Sequence, residues 1–275
     1  MFFYLFGLLR SGKQVIVLKN QQEQLRMRLA GSVAARVLQN VCGAVEPGIT
    51  TGQLDALAAD TIKANGGKSA FFGYRGYPCY ACISVNDEVV HGLAGSRRIQ
   101  FGDVVSIDVG VIYDGFIGDN AATVAAGGCT PEAQRLLDTT ERALTEGIVQ
   151  ATVGNRIDDI SRAIQCCAER AGFSVVREFV GHGVGRKMHE DPQIPNYVDP
   201  RCRQILKPGM TLAIEPMINA GKAAVRVLDD GWTAVTRDGS LSAHFEHTIL
   251  ITKYGPEVLT KVTGSGAGSS MTAFV

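Results

Sequence analysis

The sequence predicts an α+β fold built from two similar halves, on three observations. A glycine–helix–glycine phrase occurs twice, about a hundred residues apart: Gly48 matches Gly154, Leu54 matches Ile160 and Gly66 matches Gly172, without a gap. Each copy follows a longer helical pattern and precedes a run of strand patterns. The close turns Asp114-Gly115 and Asp230-Gly231 favour antiparallel hairpins. Together these predict one α+β domain over about residues 20–262, with helices covering one face of a sheet.

In chain order, residues 1–19 are read as a variable apolar leader. Its apolar stretch is far shorter than the ~20 residues of a membrane span. It has neither the basic start nor the small-residue cleavage site of a signal peptide. Leu25, Leu29, Val33, Val37, Val41 and Val45 recur every four residues and predict the buried seam of a long helix. "EPGITTG" breaks it, and "QLDALAADTIKANGG" predicts a second helix closed by glycine. "ACISV" and "DVVSIDVGVIYDGFIGDNAATV" then read as strands, and His91 in "NDEVVHGL" ends another before a glycine. In the second half, Thr130-Pro131 opens a helix over 131–151, and "TVGNRIDDISRAIQCCAERAGF" repeats the break and the shorter helix. "FSVVREFV", "MTLAIEPMI", "AAVRVL", "TAVT" and "HFEHTILIT" follow as strands. Residues 263–275 read as a flexible tail; no lysine or helix follows its glycines, as a phosphate loop would require.

The balance of charge excludes a generic polyanion binder. Twenty-seven basic residues offset 27 acidic ones, and phosphate contacts need clustered Lys and Arg. Seven cysteines are an odd set, with Cys166 and Cys167 adjacent, and read as reduced thiols in a cytoplasm. Cys79 and Cys82 form a CxxC without the second pair of a four-ligand zinc site, so they read as packed or pocket-lining thiols.

The chemistry gathers on acids within apolar strands. If Asp114-Gly115 is a two-residue turn, Tyr113 faces Phe116 and Gly110 faces Asp119. Asp108 then shares a sheet face with Asp119 as its diagonal neighbour. Two unpaired buried carboxylates would repel and take up a proton, and a cation between them removes that cost. Glu215, in an apolar strand stopped by Pro216, and Glu246, sharing a face with His244 and Thr248, bring the acids to four. Such hard oxygen donors carry charge enough for two divalent ions. His182, in "GHGVGRKMHE", completes the shell, its flanking glycines letting backbone approach a crowded site. His189, seven residues on, is placed as a hydrogen-bond donor or acid outside the shell, and His91 as a side chain projecting into a cleft. HExxH and GxSxG patterns are missing. The set points to hydrolysis by two metal ions sharing an activated water.

Taken together, "CISVNDEVVHGL", "SIDVGVIYDGFIGD", "GHGVGRKMHE", "LAIEPM" and "HFEHT" resemble the type I methionine aminopeptidases of bacteria, over about Leu25 to Thr260. The resemblance implies the pita-bread fold, with halves related by a pseudo-twofold axis. It implies Asp108, Asp119, His182, Glu215 and Glu246 as ligands of two divalent ions (Co, Mn, Fe or Zn), with Asp119 and Glu246 bridging. A metal-bridging hydroxide would attack the first peptide bond. His91 and His189 would contact the substrate and its tetrahedral intermediate, and Glu215 would also shuttle a proton. Tyr74, Tyr77, Cys82 and Trp232 fall where the family lines its methionine pocket. Phe71 and Met188 lie on the same wall, in place of a cysteine and an aromatic residue.

The implied function is removal of the initiator methionine from nascent proteins in the cytoplasm. The substrates would be N-terminal Met peptides, with the ribosome a candidate contact, no DNA or membrane partner, and a monomeric chain. No Cys/His-rich zinc module precedes the domain. The 25 residues between His189 and Glu215 and the 30 between Glu215 and Glu246 leave no room for the helical insert of type II enzymes. Two rivals stand beside this reading. A proline-specific peptidase of the same fold carries an extra N-terminal domain, and about 20 residues precede the first helix here. A non-catalytic relative would have lost ligands, and all five positions are filled.

Overall fold

The computed structural model describes residues 15–262; the apolar leader up to residue 14 and the tail from 263 lie outside the described residues. The first half comprises helices α1 (Gln21–Gly43) and α2 (Thr51–Ala64) and strands β1 (Lys68–Ser69), β2 (Cys82–Val85), β3 (Glu88–Val90), β4 (Val104–Tyr113) and β5 (Phe116–Ala125). The second half opens with α3 (Pro131–Gln150) and α4 (Ile157–Arg170), followed by β6 (Ser174–Val175), β7 (Gly181–Gly183), β8 (Glu190–Ile194) and β9 (Thr211–Ile214). It closes with β10 (Met217–Asn219), β11 (Val225–Val227), β12 (Ala234–Thr236), β13 (Ser242–His244), β14 (Glu246–Thr252) and β15 (Gly255–Val258).

The internal repeat is structural. From Thr51 to Ile157 and from Ala64 to Arg170 are both steps of 106 residues, so α2 and α4 are equal in length and position within their halves. The matched glycines share a backbone conformation that side chains disfavour: φ is +99° at Gly48 and +94° at Gly154, then +73° at Gly66 and +83° at Gly172. Side chains cap the starts of α1, α2 and α3. Asn20 with Glu23 and Thr50 with Gln53 form reciprocal capping boxes, and the Thr130 hydroxyl accepts from Ala133 N ahead of Pro131.

A nine-stranded antiparallel sheet runs β1-β4-β5-β14-β9-β7-β8, with β2 added to β4 and β15 to β14; β5 and β14 join the halves at its centre. Two three-stranded sheets, β13-β10-β6 and β11-β12-β3, stand beside it, where the sequence had suggested a single sheet. Alternation assigns the faces. Ile107, Val109 and Val111 of β4 point back into a core with Val33, Val37, Leu54 and Ala58 of α1 and α2. Leu212, Ile214, Ile249 and Ile251 point back onto Leu136, Leu137, Ile160 and Ile164 of α3 and α4. Glycine lets α1 close on the sheet, because a Cβ at Gly118 would stand 2.5 Å from the Ala30 carbonyl oxygen. The opposite, front face is left for the site. Among the described residues, no helix is long and apolar enough to cross a membrane.

The structure corrects several local expectations. Val33, Val37 and Val41 are buried as expected, but Leu25 and Leu29 are more than half exposed, and α1 also buries Met27, Ala30, Ala34 and Leu38. A strict step of four overshoots the 3.6-residue turn by about 40° each time, so it drifts off the buried stripe. Asp230-Gly231 is not a two-residue turn: β11 and β12 do pair, but the loop spans 228–233. "FSVVREFV" contributes only the two residues of β6 to a sheet. The glycine-rich segment around His182, which was not among the expected strands, is the strand β7, paired with β8 and β9. Its glycines hid it, since Gly has low strand propensity. A Cβ at Gly181 would meet the Ala213 carbonyl oxygen at 2.5 Å, and one at Gly183 would collide with the Asp191 carbonyl.

Candidate metal centre and adjoining pocket

Register on the central sheet explains how side chains far apart in sequence meet. The Asp114-Gly115 turn, with φ of +48° and +76°, pairs Tyr113 with Phe116, Gly110 with Asp119 and Asp108 with Ala121. β14 then pairs Glu246 with Ala121. Directly paired residues point to the same face, so Asp108, Ala121 and Glu246 form one row. The β14–β9 ladder runs to His247–Ile214, and one step further sets Glu215 opposite Glu246, in the break between β9 and β10 rather than within a strand. The neighbouring row is Gly110, Asp119, Thr248, Ala213 and His182. Thr248 Oγ1 ties it, donating to the Asp119 carbonyl at 2.8 Å and accepting from Asp119 N at 3.1 Å. Four carboxylates and an imidazole therefore occupy two adjacent rows of the front face, spaced by small residues, on strands ~4.8 Å apart.

One ligand atom each from Asp119, His182 and Glu246 lies within 4.8 Å of the others. His182 Nε2 is 3.7 Å from Asp119 Oδ2 and 3.5 Å from Glu215 Oε1. His182 Nδ1 lies 2.9 Å from the Gly183 carbonyl oxygen. A carbonyl only accepts, so Nδ1 carries a proton and Nε2 faces the carboxylates.

Burial dominates the electrostatics. It pushes Asp108 and Glu215 up to about 7 and Asp119 and Glu246 well above their ordinary range, with neighbouring acids adding to the rise for Asp108, Asp119 and Glu246. Asp108 Oδ1, Asp119 Oδ1 and Glu246 Oε1 are buried without a hydrogen-bond partner. An orphaned buried acceptor costs about 1–3 kcal/mol, and a cation among these oxygens satisfies several at once. The donor set therefore fits a divalent metal centre.

The remaining predicted residues line the same cavity: His91, His189, Tyr74, Tyr77, Cys82, Met188, Trp232 and Phe71 all open onto it beside the acids. His91 follows β3 with φ of +60°, its ring edge-on to Phe179 at 5.3 Å, and burial pushes it down to about 4. The Tyr74 hydroxyl lies 2.9 Å from His189 Nδ1, and the His189 ring sits 4.4 Å from that of His182. Burial, then the neighbouring imidazoles, hold His189 well below the usual histidine range. Both histidines are thus neutral near pH 7. On the apolar side, Tyr77 donates to the Gly92 carbonyl at 2.9 Å and packs edge-on to Trp232 at 4.9 Å. Phe71 takes the room that Gly110 leaves, since a Cβ there would stand 2.6 Å from its ring.

Some contributors were not read from the sequence. Phe179, Val90 and Val227 add apolar wall and Arg75 a cation, and none has a pattern that sets it apart from ordinary core or surface. His244 lies behind Glu215, with Nε2 3.6 Å from Glu215 Oε2. Its two-residue spacing from Glu246 was the available signal.

Comparison with known proteins agrees with this geometry. The model of metallopeptidase family M24 matches residues 25–253. A methionine aminopeptidase of Clostridium perfringens is 49% identical over 248 residues, 90% of this chain and all of the relative. Methionine aminopeptidase 1 of Bacillus subtilis is 47% identical with the same coverage. The crystal structure of the Thermotoga maritima methionine aminopeptidase superposes with a TM-score of 0.88 at 46% identity, over 90% of this chain and all of that one. Prolidase from Pyrococcus furiosus, 22% identical over 90% of this chain and 66% of its own, has a TM-score of 0.73 and shares the pita-bread fold alone. With near-complete coverage at close to half identity, and an acid-and-imidazole face at its centre, this chain belongs to metallopeptidase family M24, among its methionine aminopeptidases.

Proposed function

We propose that the chain removes N-terminal methionine from newly made proteins, as a hydrolase using two divalent ions. The observation that carries this is the continuity of two unlike surfaces in one cavity: orphaned carboxylate oxygens on the sheet face, and an apolar slot of rings, a thiol and a thioether beside them. Asp108, Asp119, His182, Glu215 and Glu246 would hold the ions, and four carboxylates balance the charge of two. Oxygen donors with imidazole suit Mn, Fe, Co or Zn. Bound ions would polarise the scissile carbonyl and lower the pKa of water at the site.

The chain's own residues do the rest. Glu215, at the cavity beside His182, would take up a proton and hand it to the departing amine. His189, its ring fixed by Tyr74, donates to the carbonyl oxygen as negative charge develops there. His91, neutral and at the cavity wall, hydrogen-bonds the peptide group on the leaving side. The methionine side chain lies among Phe71, Tyr77, Cys82, Met188 and Trp232, surfaces that suit a flexible, polarisable thioether. A cytoplasmic setting is supported by seven free cysteines, and a monomer suffices because one chain supplies every residue named.

The test is release of Met from Met-Ala-Ser by purified protein with added Mn²⁺ or Co²⁺. His182→Ala is expected to abolish it, and Xaa-Pro dipeptides are expected to be poor substrates. Inactivity with every divalent metal tried, or preference for Xaa-Pro, ends the proposal.

A further inference from the structure

Glu215 has an imidazole on each side. Its Oε1 lies 3.5 Å from His182 Nε2 and its Oε2 lies 3.6 Å from His244 Nε2. Both separations are too long for a good hydrogen bond. Both suit donors on either side of a cation: ligand atoms each about 2.1 Å from one ion stand roughly 3.0–3.5 Å apart at tetrahedral or right angles, and further as the angle opens. His244 thus has the same spacing to Glu215 that His182 has.

His244 is built into place. Its side chain is 2% exposed and its Nε2 has no hydrogen-bond partner. Its backbone is clamped at both ends by one hydroxyl: Thr123 Oγ1 accepts from His244 N at 2.9 Å and donates to His244 O at 2.8 Å, with Ser106 Oγ 2.8 Å behind. The ladder to β10 fixes it opposite Met217, two residues past Glu215. A clamped residue with an orphaned nitrogen 3.6 Å from a carboxylate of the centre has the free donor and the reach of a ligand.

We propose that His244 is a sixth protein ligand of the metal centre, adding a nitrogen donor through Nε2 at Glu215 Oε2. This rests on the reading that the carboxylate cluster holds divalent ions. His182 alone would leave one of two ions with oxygen donors only; His244 gives the centre a second imidazole. Imidazole favours Co²⁺, Zn²⁺ and Fe²⁺ over Mn²⁺ and Mg²⁺, which oxygen ligands serve equally well.

The experiment uses chelator-stripped full-length protein, calorimetric titration with CoCl₂ and MnCl₂, and proton NMR of the Co²⁺-loaded form. Wild type is expected to show two hyperfine-shifted exchangeable imidazole N–H signals, one from His182 and one from His244. His244→Gln is expected to lose one signal and to weaken Co²⁺ binding about 10–100-fold, with Mn²⁺ affinity within about threefold. Circular dichroism checks that the variant folds, and the wild-type signal count needs no variant. A single shifted imidazole in wild type overturns the assignment, as does equal weakening of both metals, which would make His244 an outer hydrogen-bond donor. If wild type binds two ions and releases Met while His244→Gln binds Co²⁺ unchanged, this inference alone fails. If wild type binds neither ion, the metal reading itself falls with it.

Discussion

Loading the site with metal should displace protons, and the number should fall with pH in a way the burial of the ligands sets. Asp108 and Glu215 are held near 7 by desolvation, against ordinary values of 3.8 and 4.5, and Asp119 and Glu246 are raised further by their neighbours. Metal ligation requires the carboxylate form, so each protonated ligand gives up its proton on binding. At pH 6 a group titrating near 7 is about nine-tenths protonated, and at pH 8.5 it is almost fully ionised. Asp108 and Glu215 should therefore account for about two protons released at pH 6 and almost none at pH 8.5. The share of Asp108 and Glu215 in the product of the two association constants should rise roughly 100-fold per pH unit near pH 6 and flatten above about 7.5, with protons from Asp119 and Glu246 released in addition. Sign follows from linkage: a carboxylate raised in the folded state stabilises below its unfolded value near 4, and that contribution is lost as pH rises through 7. The metal-free protein thus loses stability from these groups over pH 4–7, where metal restores it. His91 and His247, pushed down to about 4, act the other way, losing stability as pH falls below about 6.5. They are not among the proposed ligands, so the metal-loaded minus metal-free difference largely cancels them. Calorimetry with Co²⁺ in buffers of different ionisation enthalpy counts the protons. A release that does not change between pH 6 and 8.5 refutes the reasoning.

Three further predictions test the supports of the site. Lys19 Nζ lies 2.6 Å from Glu190 Oε2, with both side chains almost fully buried; Lys19→Met strands that carboxylate and should cost about 3–5 kcal/mol, lowering Tm by roughly 10 °C. Glu190→Gln in the same chain should recover part of the loss, and a single variant melting within 2 °C of wild type sinks the claim. Gly118→Ala forces a methyl to 2.5 Å from the Ala30 carbonyl oxygen; it should lower stability by about 1–3 kcal/mol in a urea titration. The number of ions bound should not change, because the strain is on the helix side of the sheet. Tyr74→Phe removes the 2.9 Å contact to His189 Nδ1; kcat on Met-Ala-Ser should fall about fivefold, the worth of one hydrogen bond, with KM changed less. A loss in KM alone would place Tyr74 in substrate binding instead.

Much of the fold was legible because its signals are local. Glycines at left-handed positions, a Thr-Pro helix start and an Asp-Gly turn act over a few residues, and they marked α2, α4, the start of α3 and the β4–β5 hairpin. The turn even set Asp108 and Asp119 on one face, since a two-residue loop leaves one register. The seam of α1 was right at Val33, Val37 and Val41 and failed at Leu25 and Leu29, where a period of four no longer follows the buried stripe. β7 was missed because crowding from neighbouring backbone demanded glycine where strand propensity would ask for a branched side chain.

What the chain alone determined, then, is which donors exist and that two of the carboxylates share a face. Tertiary structure decided that they meet. The pairing of β14 with β5 through Ala121 joins the two halves of the molecule, and that of β9 with β7 through Ala213 and His182 joins segments about thirty residues apart in sequence. Long-range register is chosen by the buried back face, where a slip of one residue would turn every apolar side chain away from its helix. The same choice seats Phe71 over Gly110 and brings the His244 nitrogen to Glu215, contacts that no local spacing encodes.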